Sequence, residues 1–385
     1  AFAKRLGISA PQGSISVFSR GGMGEFTSFI IYPIIGQCYS LWLFKIRIIE
    51  GISVLEIPVW QQVTREQFEN EIVPLNKPAL LKSVVGDWSA VKTGIESPQA
   101  VVNYLKAMDS NKKVSAVVGN PEINGRFFYG DDLQTMNFSR ASTTLSSALE
   151  QLLKIIDQPN PHAIALQAIS IRDVLQDFEI QNPQPLLDSS IAPTLWLGNR
   201  AMVAPHYDIH DNIAAVVAGR RRFTLYPPEQ IDNLYPGPAL STPAGVPVSM
   251  VDIRQPDLEQ FPNYAQAEAV AQQAVLEPGD AVYIPALWWH GVESLEGLNI
   301  LVNYWWGGQT EGTPSANDSM MHSMLSIAKL SPAKREAWRQ YFNYYVFQTG
   351  NESQKHLPAS LNDLVTDLSE EQKKALKMFL SKRLL

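Results

Sequence analysis

Between Lys113 and Trp306 the chain is cut into short runs rich in β-branched and aromatic residues, and this texture restricts the fold more than any other feature. The runs are KVSAVVG (113–119), GRFFYG (125–130), APTLWLG (192–198), NIAAVVAG (212–219), RRFTLYPP (221–228), AVLEPGDAVYIP (274–285) and LNILVNYWW (298–306). Gly, Pro, Asn and Asp separate them, which reads as many short strands of a sandwich or barrel. One helix over Thr144–Ile156 is expected to interrupt the series. Upstream, from Thr64 to Asp109, the signals are helical, and Ser97-Pro98 sets a cap and a first-turn proline before QAVVNYLKAM. Downstream, Ser331-Pro332 opens a helix carrying Trp338, Tyr341, Phe342 and Tyr345 at helical spacing. Ser369-Glu370-Glu371-Gln372 is a capping box for a last helix bearing Leu376, Phe379 and Leu380. The apolar faces of these two helices predict a lid on the barrel or a dimer interface.

Hydrophobic residues at 45% and charged residues at 18% supply a core and exclude a disordered or coiled-coil chain. A net charge of −7, with Arg220-Arg221-Arg222 as the one local basic run, argues against nucleic acid as a partner. A single cysteine, Cys38, excludes a disulfide framework and a cysteine-based zinc cluster, so a metal site would draw on the six histidines and on carboxylates. The uncharged run Phe26–Phe44 has the length of a membrane span but carries Pro33, Gly36, Gln37 and Ser40; it reads as an extra strand, a hairpin or a poorly ordered tail. Residues 1–53 are therefore set apart as an extension that is poorly ordered or foreign to the native protein, 54–315 as the functional domain and 316–385 as a helical region. The lack of cysteine pairs and of a cleavable leader points to the cytoplasm.

His206 and Asp208 stand two apart, so on an extended strand both side chains leave the same face. His290 follows 84 residues on (290 − 206), at the end of another strand. Two imidazoles and one carboxylate form the facial set that selects non-haem iron(II) and leaves positions open for other ligands. His-x-Asp by itself is a short pattern that chance also supplies. In the return strand after the tight turn Ala218-Gly219, Arg221, Phe223 and Leu225 share one face. If that face is interior, Arg221 is a buried cation in need of a carboxylate, and a small dicarboxylate is one source; the alternative is three solvated arginines on a ribbon. In 298–306, Asn299, Leu301, Asn303 and Trp305 share a face, so Asn303 must hydrogen-bond either to a ligand or to backbone, and Asn212 carries the same ambiguity. His210 is assigned to the surface or to the margin of the ligand pair, and His162, His322 and His356 are ordinary residues.

Taken together, HYD (206–208), GRRRFTLYPPEQ, EPGDAVYIPALWWH and VNYWW resemble the cupin-like JmjC family of Fe(II)- and 2-oxoglutarate-dependent oxygenases, in particular bacterial members related to the asparaginyl hydroxylase that inhibits hypoxia-inducible factor. The likeness runs from about residue 54 to the carboxyl end. It implies a mostly β fold with flanking helices, a double-stranded β-helix or jelly roll with a carboxyl-terminal helical region. It implies that His206, Asp208 and His290 hold the iron, that Arg221 stands where relatives carry a lysine for the distal carboxylate of 2-oxoglutarate, and that Asn303 and Asn212 line the cosubstrate or iron pocket. Two donors of the family pattern are missing: a hydroxyl residue is Val203 here, and a tyrosine is replaced near Ala165. The implied activity is hydroxylation of a C–H bond in a protein, a peptide or a small molecule, using O2, with a homodimer formed by the carboxyl-terminal helices. Tyr129, Trp289 and Trp305 are candidates to hold the substrate, or are core. The rival readings are a metal-binding cupin enzyme that does not use 2-oxoglutarate, such as an isomerase or hydrolase, and a non-catalytic scaffold.

Overall fold

The computed structural model describes residues 17–18, 25–28, 44–49, 52–239, 242–243, 245–307, 315–348 and 369–384. Its chain contacts divide it into two units, Ala1–Thr310 and Glu311–Leu385. Of the apolar run Phe26–Phe44, residues 29–43 lie outside the described residues, as do Cys38 and His356.

The first unit is built on two nine-stranded sheets. Sheet one contains β1 (Val17–Phe18), β2 (Glu25–Ser28), β3 (Phe44–Ile49), β4 (Ile52–Glu56), β8 (Arg126–Phe127), β12 (Met202–Tyr207), β14 (Arg221–Tyr226), β15 (Gln272–Leu276) and β17 (Trp289–Ser294), in the order β1-β2-β3-β4-β15-β14-β17-β12-β8. Sheet two contains β5 (Val59–Gln61), β6 (Ala79–Lys82), β7 (Lys113–Gly119), β9 (Phe138–Thr144), β10 (Ala163–Ser170), β11 (Pro193–Gly198), β13 (Asp211–Ala218), β16 (Ala281–Ile284) and β18 (Asn299–Trp306), in the order β5-β6-β16-β13-β18-β11-β10-β7-β9. The short runs predict a sandwich or barrel of many strands, and the resemblance implies a mostly β jelly roll with flanking helices; the two sheets agree with both.

Three apolar layers position the site. Between the sheets, Val216, Ile284 and Leu301 of sheet two meet Phe223, Leu225, Leu276 and Val292 of sheet one. Behind sheet two, Val217, Ile300, Val302 and Tyr304 pack on the helices α1 (Ser89–Glu96), α2 (Pro98–Ala107) and α3 (Leu145–Ile155) through Val91, Val101, Leu105 and Leu149. Behind sheet one, Tyr226 and Trp289 pack on Leu234, Val251 and Tyr264. Strands β13 and β18 are covered on both faces, which is why their sequences run apolar rather than alternating. The helix signals hold: the Ser97 hydroxyl accepts from the Ala100 N–H at 3.1 Å, and the Thr144 hydroxyl from the Ser147 N–H at 3.2 Å.

The structure corrects one expectation about connectivity. NIAAVVAG and RRFTLYPP read as a hairpin, yet β13 is hydrogen-bonded on both edges, to β16 and β18, and has no edge left for β14. The chain instead crosses to sheet one, where β14 pairs with β15 and β17. Gly219 makes the crossing with φ +71, and a Cβ there would stand 2.5 Å from both the Leu298 carbonyl oxygen and Asn299 Oδ1. Strands β6, β9 and β10 were among those not anticipated. Strand β6 falls in the segment read as helical. Strand β9 is an edge strand whose FSRASTT sequence is largely exposed and lacks apolar alternation.

In the second unit, α4 (Ala316–Ser326), α5 (Pro332–Phe342) and α6 (Glu370–Leu384) are described. The capping box forms as expected: the Ser369 N–H donates to Gln372 Oε1 at 2.8 Å and the Gln372 N–H to Ser369 Oγ at 3.3 Å. Trp338, Tyr341 and Tyr345 stand exposed. Among the described residues no helix is long and apolar enough to cross a membrane.

Candidate metal centre

Strands β12 and β17 are antiparallel neighbours, and their register sets His206 directly opposite His290. A bulge between Val203 and His206 shifts the ladder just before the ligand pair. The two imidazole centroids lie 4.3 Å apart, and His290 Nε2 is 3.6 Å from Asp208 Oδ2. One ligand atom from each of His206, Asp208 and His290 lies within 4.8 Å of the others, so the three residues singled out from the sequence converge on one point.

Both imidazoles are oriented by their own strands. His206 Nδ1 lies 3.0 Å from the Ala204 carbonyl oxygen, and His290 Nδ1 lies 3.1 Å from that of Trp288. A carbonyl oxygen only accepts, so each Nδ1 carries the proton and each Nε2 keeps its lone pair for a metal. Burial, and after it the neighbouring His290, push the His206 imidazole down to about 4, so at neutral pH it is an uncharged ligand.

The carboxylate is held as well. Asp208 Oδ2 accepts from Trp305 Nε1–H at 3.0 Å and from Asn212 Nδ2 at 3.4 Å. Behind them, Asn303 Nδ2 donates to Asn212 Oδ1 at 3.3 Å, and Trp196 Nε1–H donates to Asn303 Oδ1 at 2.8 Å. Partners of this kind fix a ligand's orientation and its basicity. The backbone joins the two ligand segments: the Leu287 N–H donates to the Asp208 carbonyl at 2.8 Å, with Leu287 at φ +67. Asp211 Oδ1 accepts from the Tyr283 hydroxyl at 3.0 Å and from the Ala286 N–H at 3.2 Å, holding the same turn ahead of β17.

The triad opens into a cavity of about 430 Å³ between the sheets, a size ordinary for small-ligand sites of roughly 300–1,000 Å³. Arg221, Asn212, Asn303, Trp196, Trp305 and Val203 line it. Arg221 is 7% exposed, its Nε has no hydrogen-bond partner, and its Nη2 reaches only the Trp196 carbonyl at 3.5 Å. Burial pushes its guanidinium down to about 10. Among the described residues no carboxylate pairs with it. Its neighbours in sequence behave differently, since Arg220 pairs with Glu296 at 2.6 Å and Arg222 with Glu293. Strand parity therefore separates one interior arginine from two solvated ones, and the ribbon of three exposed arginines is set aside.

The candidate substrate residues do not come together. Trp305 lines the cavity, but its N–H is committed to Asp208. Trp289 points from the opposite face of β17 into the layer behind sheet one, 5.1 Å from Tyr207 ring to ring, because adjacent strand residues face opposite ways. Tyr129 is buried with Phe128 and Val248 and borders a different cavity. Ala165 is outside the lining, and Gln167, two residues on, faces the cavity from the same strand. Sequence reasoning missed Trp196, Gln167 and Arg140 as lining residues. The alternation of Trp196 against Leu195 and Leu197 was an available signal, as was that of Gln167 with Ala163 and Ala165 against Ile164 and Leu166.

Compared with known protein families, residues 65–312 match the cupin-like domain. The chain is similar to a lysine-specific demethylase of Arabidopsis thaliana, 30% identical over 213 residues that cover 50% of this chain and 38% of the plant protein. It is also similar to tRNA wybutosine-synthesizing protein 5 of Danio rerio, 28% identical over 270 residues, 66% of this chain and 75% of the relative. A third relative is lysine-specific demethylase 8 of Danio rerio, 25% identical over 257 residues, 65% of this chain and 58% of the relative. The matched segment thus spans less than two thirds of the length of both demethylases.

Proposed function

The chain belongs to the cupin-like domain family, on its JmjC branch, and from that premise we propose that it is an Fe(II)- and 2-oxoglutarate-dependent dioxygenase that hydroxylates an unactivated C–H bond. One observation carries the reading. Arg221 is a buried guanidinium with an unpartnered Nε and, among the described residues, no carboxylate paired with it, opening on the same cavity as two imidazoles and an aspartate. A buried charge left alone is costly, and a planar carboxylate is the complementary partner of a guanidinium. The residues present therefore fit both groups: two imidazoles and one carboxylate for iron(II), and Arg221 for the far carboxylate of a dicarboxylate.

Bound together, iron(II) and 2-oxoglutarate supply activation of O2, release of succinate and carbon dioxide, and transfer of one oxygen atom to carbon. The protein's part is positional. His206, Asp208 and His290 would hold the metal with both ring tautomers already set. Trp305 and Asn212 hold Asp208 Oδ2, the oxygen 3.6 Å from His290 Nε2, and so fix the carboxylate's orientation toward the imidazoles. Arg221 orients the cosubstrate along the cavity, and its fork offers more donors than a lysine, offsetting the hydroxyl lost at Val203. Phe223, Leu301 and Val292 make the inner wall apolar and limit water there.

We further propose that the substrate is a protein or peptide side chain ahead of a small molecule, that residues 54–315 act as the catalytic domain of a cytoplasmic enzyme, and that the helices of residues 316–385 pair two copies. Anaerobic addition of iron(II) and then 2-oxoglutarate tests the core of the reading: a visible absorption band that needs both additions and weakens in Arg221→Ala supports it. Bound iron without that band favours a cupin enzyme that does not use 2-oxoglutarate, and no bound metal favours a scaffold.

A further inference from the structure

The charges around the cavity are unequal. Among the described lining residues Asp208 is the one acid, while Arg221 and Arg140 are both cationic. On the reading above, the positive charges of iron(II) and Arg221 are matched by Asp208 and the two carboxylates of 2-oxoglutarate. Arg140 is left over. It sits on β9 with the parity of Phe138, whose ring packs with Val117 and Ala165 on the cavity side of sheet two. Its guanidinium has no ion pair among the described residues, and its nearest ring is Phe138 at 5.9 Å.

A second irregularity lies beside it. Strand β10 breaks register with β11 between Leu166 and Ile169, and Ala168 adopts φ +52, a left-handed conformation that is uncommon for alanine. Gln167 shares the face of Ala163 and Ala165, opposite Ile164 and Leu166, and so reaches the cavity just ahead of the bulge. A guanidinium and a carboxamide on one wall, with no free acid opposite, make a donor-rich subsite.

We propose that Arg140 and Gln167 bind the carboxylate of an acidic substrate, so that this enzyme oxidises acidic residues or acidic small molecules and disfavours cationic ones such as lysine side chains. The proposal rests on the Fe(II) and 2-oxoglutarate reading. Exposed at the mouth of the cavity, Arg140 draws the anion in, and the charge-assisted pair contributes about tenfold in affinity.

The test uses the full-length chain loaded with Mn(II) and saturating 2-oxoglutarate, titrated calorimetrically with the N-acetyl methylamides of glutamate, glutamine and lysine. These probes are similar in size and carry one negative, no and one positive charge. Tightest binding of the glutamate probe, weakened about tenfold in Arg140→Ala, largely kept in Arg140→Lys and turned toward the lysine probe in Arg140→Glu, supports the proposal. Equal binding of the glutamate and glutamine probes, preference for the lysine probe, or indifference to Arg140→Ala overturns it. A separate 2-oxoglutarate isotherm distinguishes the two failures. If 2-oxoglutarate binds and the glutamate probe does not, the acidic subsite alone is wrong; if 2-oxoglutarate does not bind, the cosubstrate reading falls and takes the subsite with it. Arg140 is exposed on an edge strand, so its variants leave the core untouched.

Discussion

Replacing Arg221 by methionine should make the metal-free protein more stable and the cosubstrate useless to it. In the folded chain burial pushes the Arg221 guanidinium well below the ordinary arginine value, to about 10. At about 1.36 kcal/mol per pKa unit, the charged form is disfavoured in the fold by roughly 3 kcal/mol. Because the folded value lies below the unfolded one, this cost is fully present below pH ~10 and fades as pH rises from there toward the ordinary arginine value. Between pH 6 and 9 the difference between wild type and Arg221→Met is therefore flat as far as this group is concerned. Methionine has a similar reach and no charge, and replacing buried charge by apolar side chains stabilises by about 1–4 kcal/mol in favourable cases. We predict a gain of about 1–3 kcal/mol, which in a domain of this size raises the melting temperature by a few to about ten degrees. Adding Mn(II) and 2-oxoglutarate at about 100 times the dissociation constant stabilises wild type by ~2.7 kcal/mol, whereas 2-oxoglutarate adds nothing to the variant. Differential scanning calorimetry with and without the two ligands reads both effects. A variant less stable than wild type without ligands, or one that 2-oxoglutarate stabilises equally, would refute the idea that Arg221 is held unpaired for a carboxylate.

Four shorter predictions follow from the same geometry. His206→Ala and Asp208→Ala are expected to lose bound iron and 2-oxoglutarate-dependent succinate formation, read by metal analysis and succinate assay; retained iron-dependent turnover in either would contradict the triad. Trp305→Phe removes the donor to Asp208 Oδ2 while keeping an aromatic ring; a loss of about 10–100-fold in metal affinity is expected, and an unchanged affinity means the contact does not orient the carboxylate. Gly219→Ala meets both a positive φ and two oxygens at 2.5 Å, so a destabilisation of at least ~2 kcal/mol is predicted from denaturant titration. If α5 pairs two copies, glutamate at both Trp338 and Tyr341, which stand 46% and 60% exposed, converts a dimer to monomer in sedimentation velocity, and a wild type that is already monomeric at micromolar concentration rules the pairing out.

Much of the fold and the centre of the site were legible beforehand. The short runs located eight strands (β7, β8, β11, β13, β14, β15, β16 and β18), and the cap residues Ser97 and Ser369 marked two helix starts, because these signals depend on residues within a few positions of one another. Period-two alternation placed Arg221 with Phe223 and Leu225 in the interior and Asn303 with Trp305 on the cavity face, both as found. The same rule, applied to Trp289, puts it opposite His290 and away from the cavity; choosing it as a substrate residue ignored its own parity. Strand β9 escaped notice because an edge strand with a solvated face needs no apolar alternation.

The sequence by itself determined which side chains share a face: the strand period sends His206 and Asp208 to one side and the middle arginine of three inward, through steric rules that act along a few residues. Only the tertiary structure decided which strands become neighbours. That NIAAVVAG and RRFTLYPP part into different sheets, that His206 sits opposite His290, that Trp196 reaches Asp208 through two asparagines, and that Gln167 and Arg140 line one cavity all depend on which sheet edges are already occupied. Edge occupancy is settled by packing between segments far apart in the chain, and no local period records it.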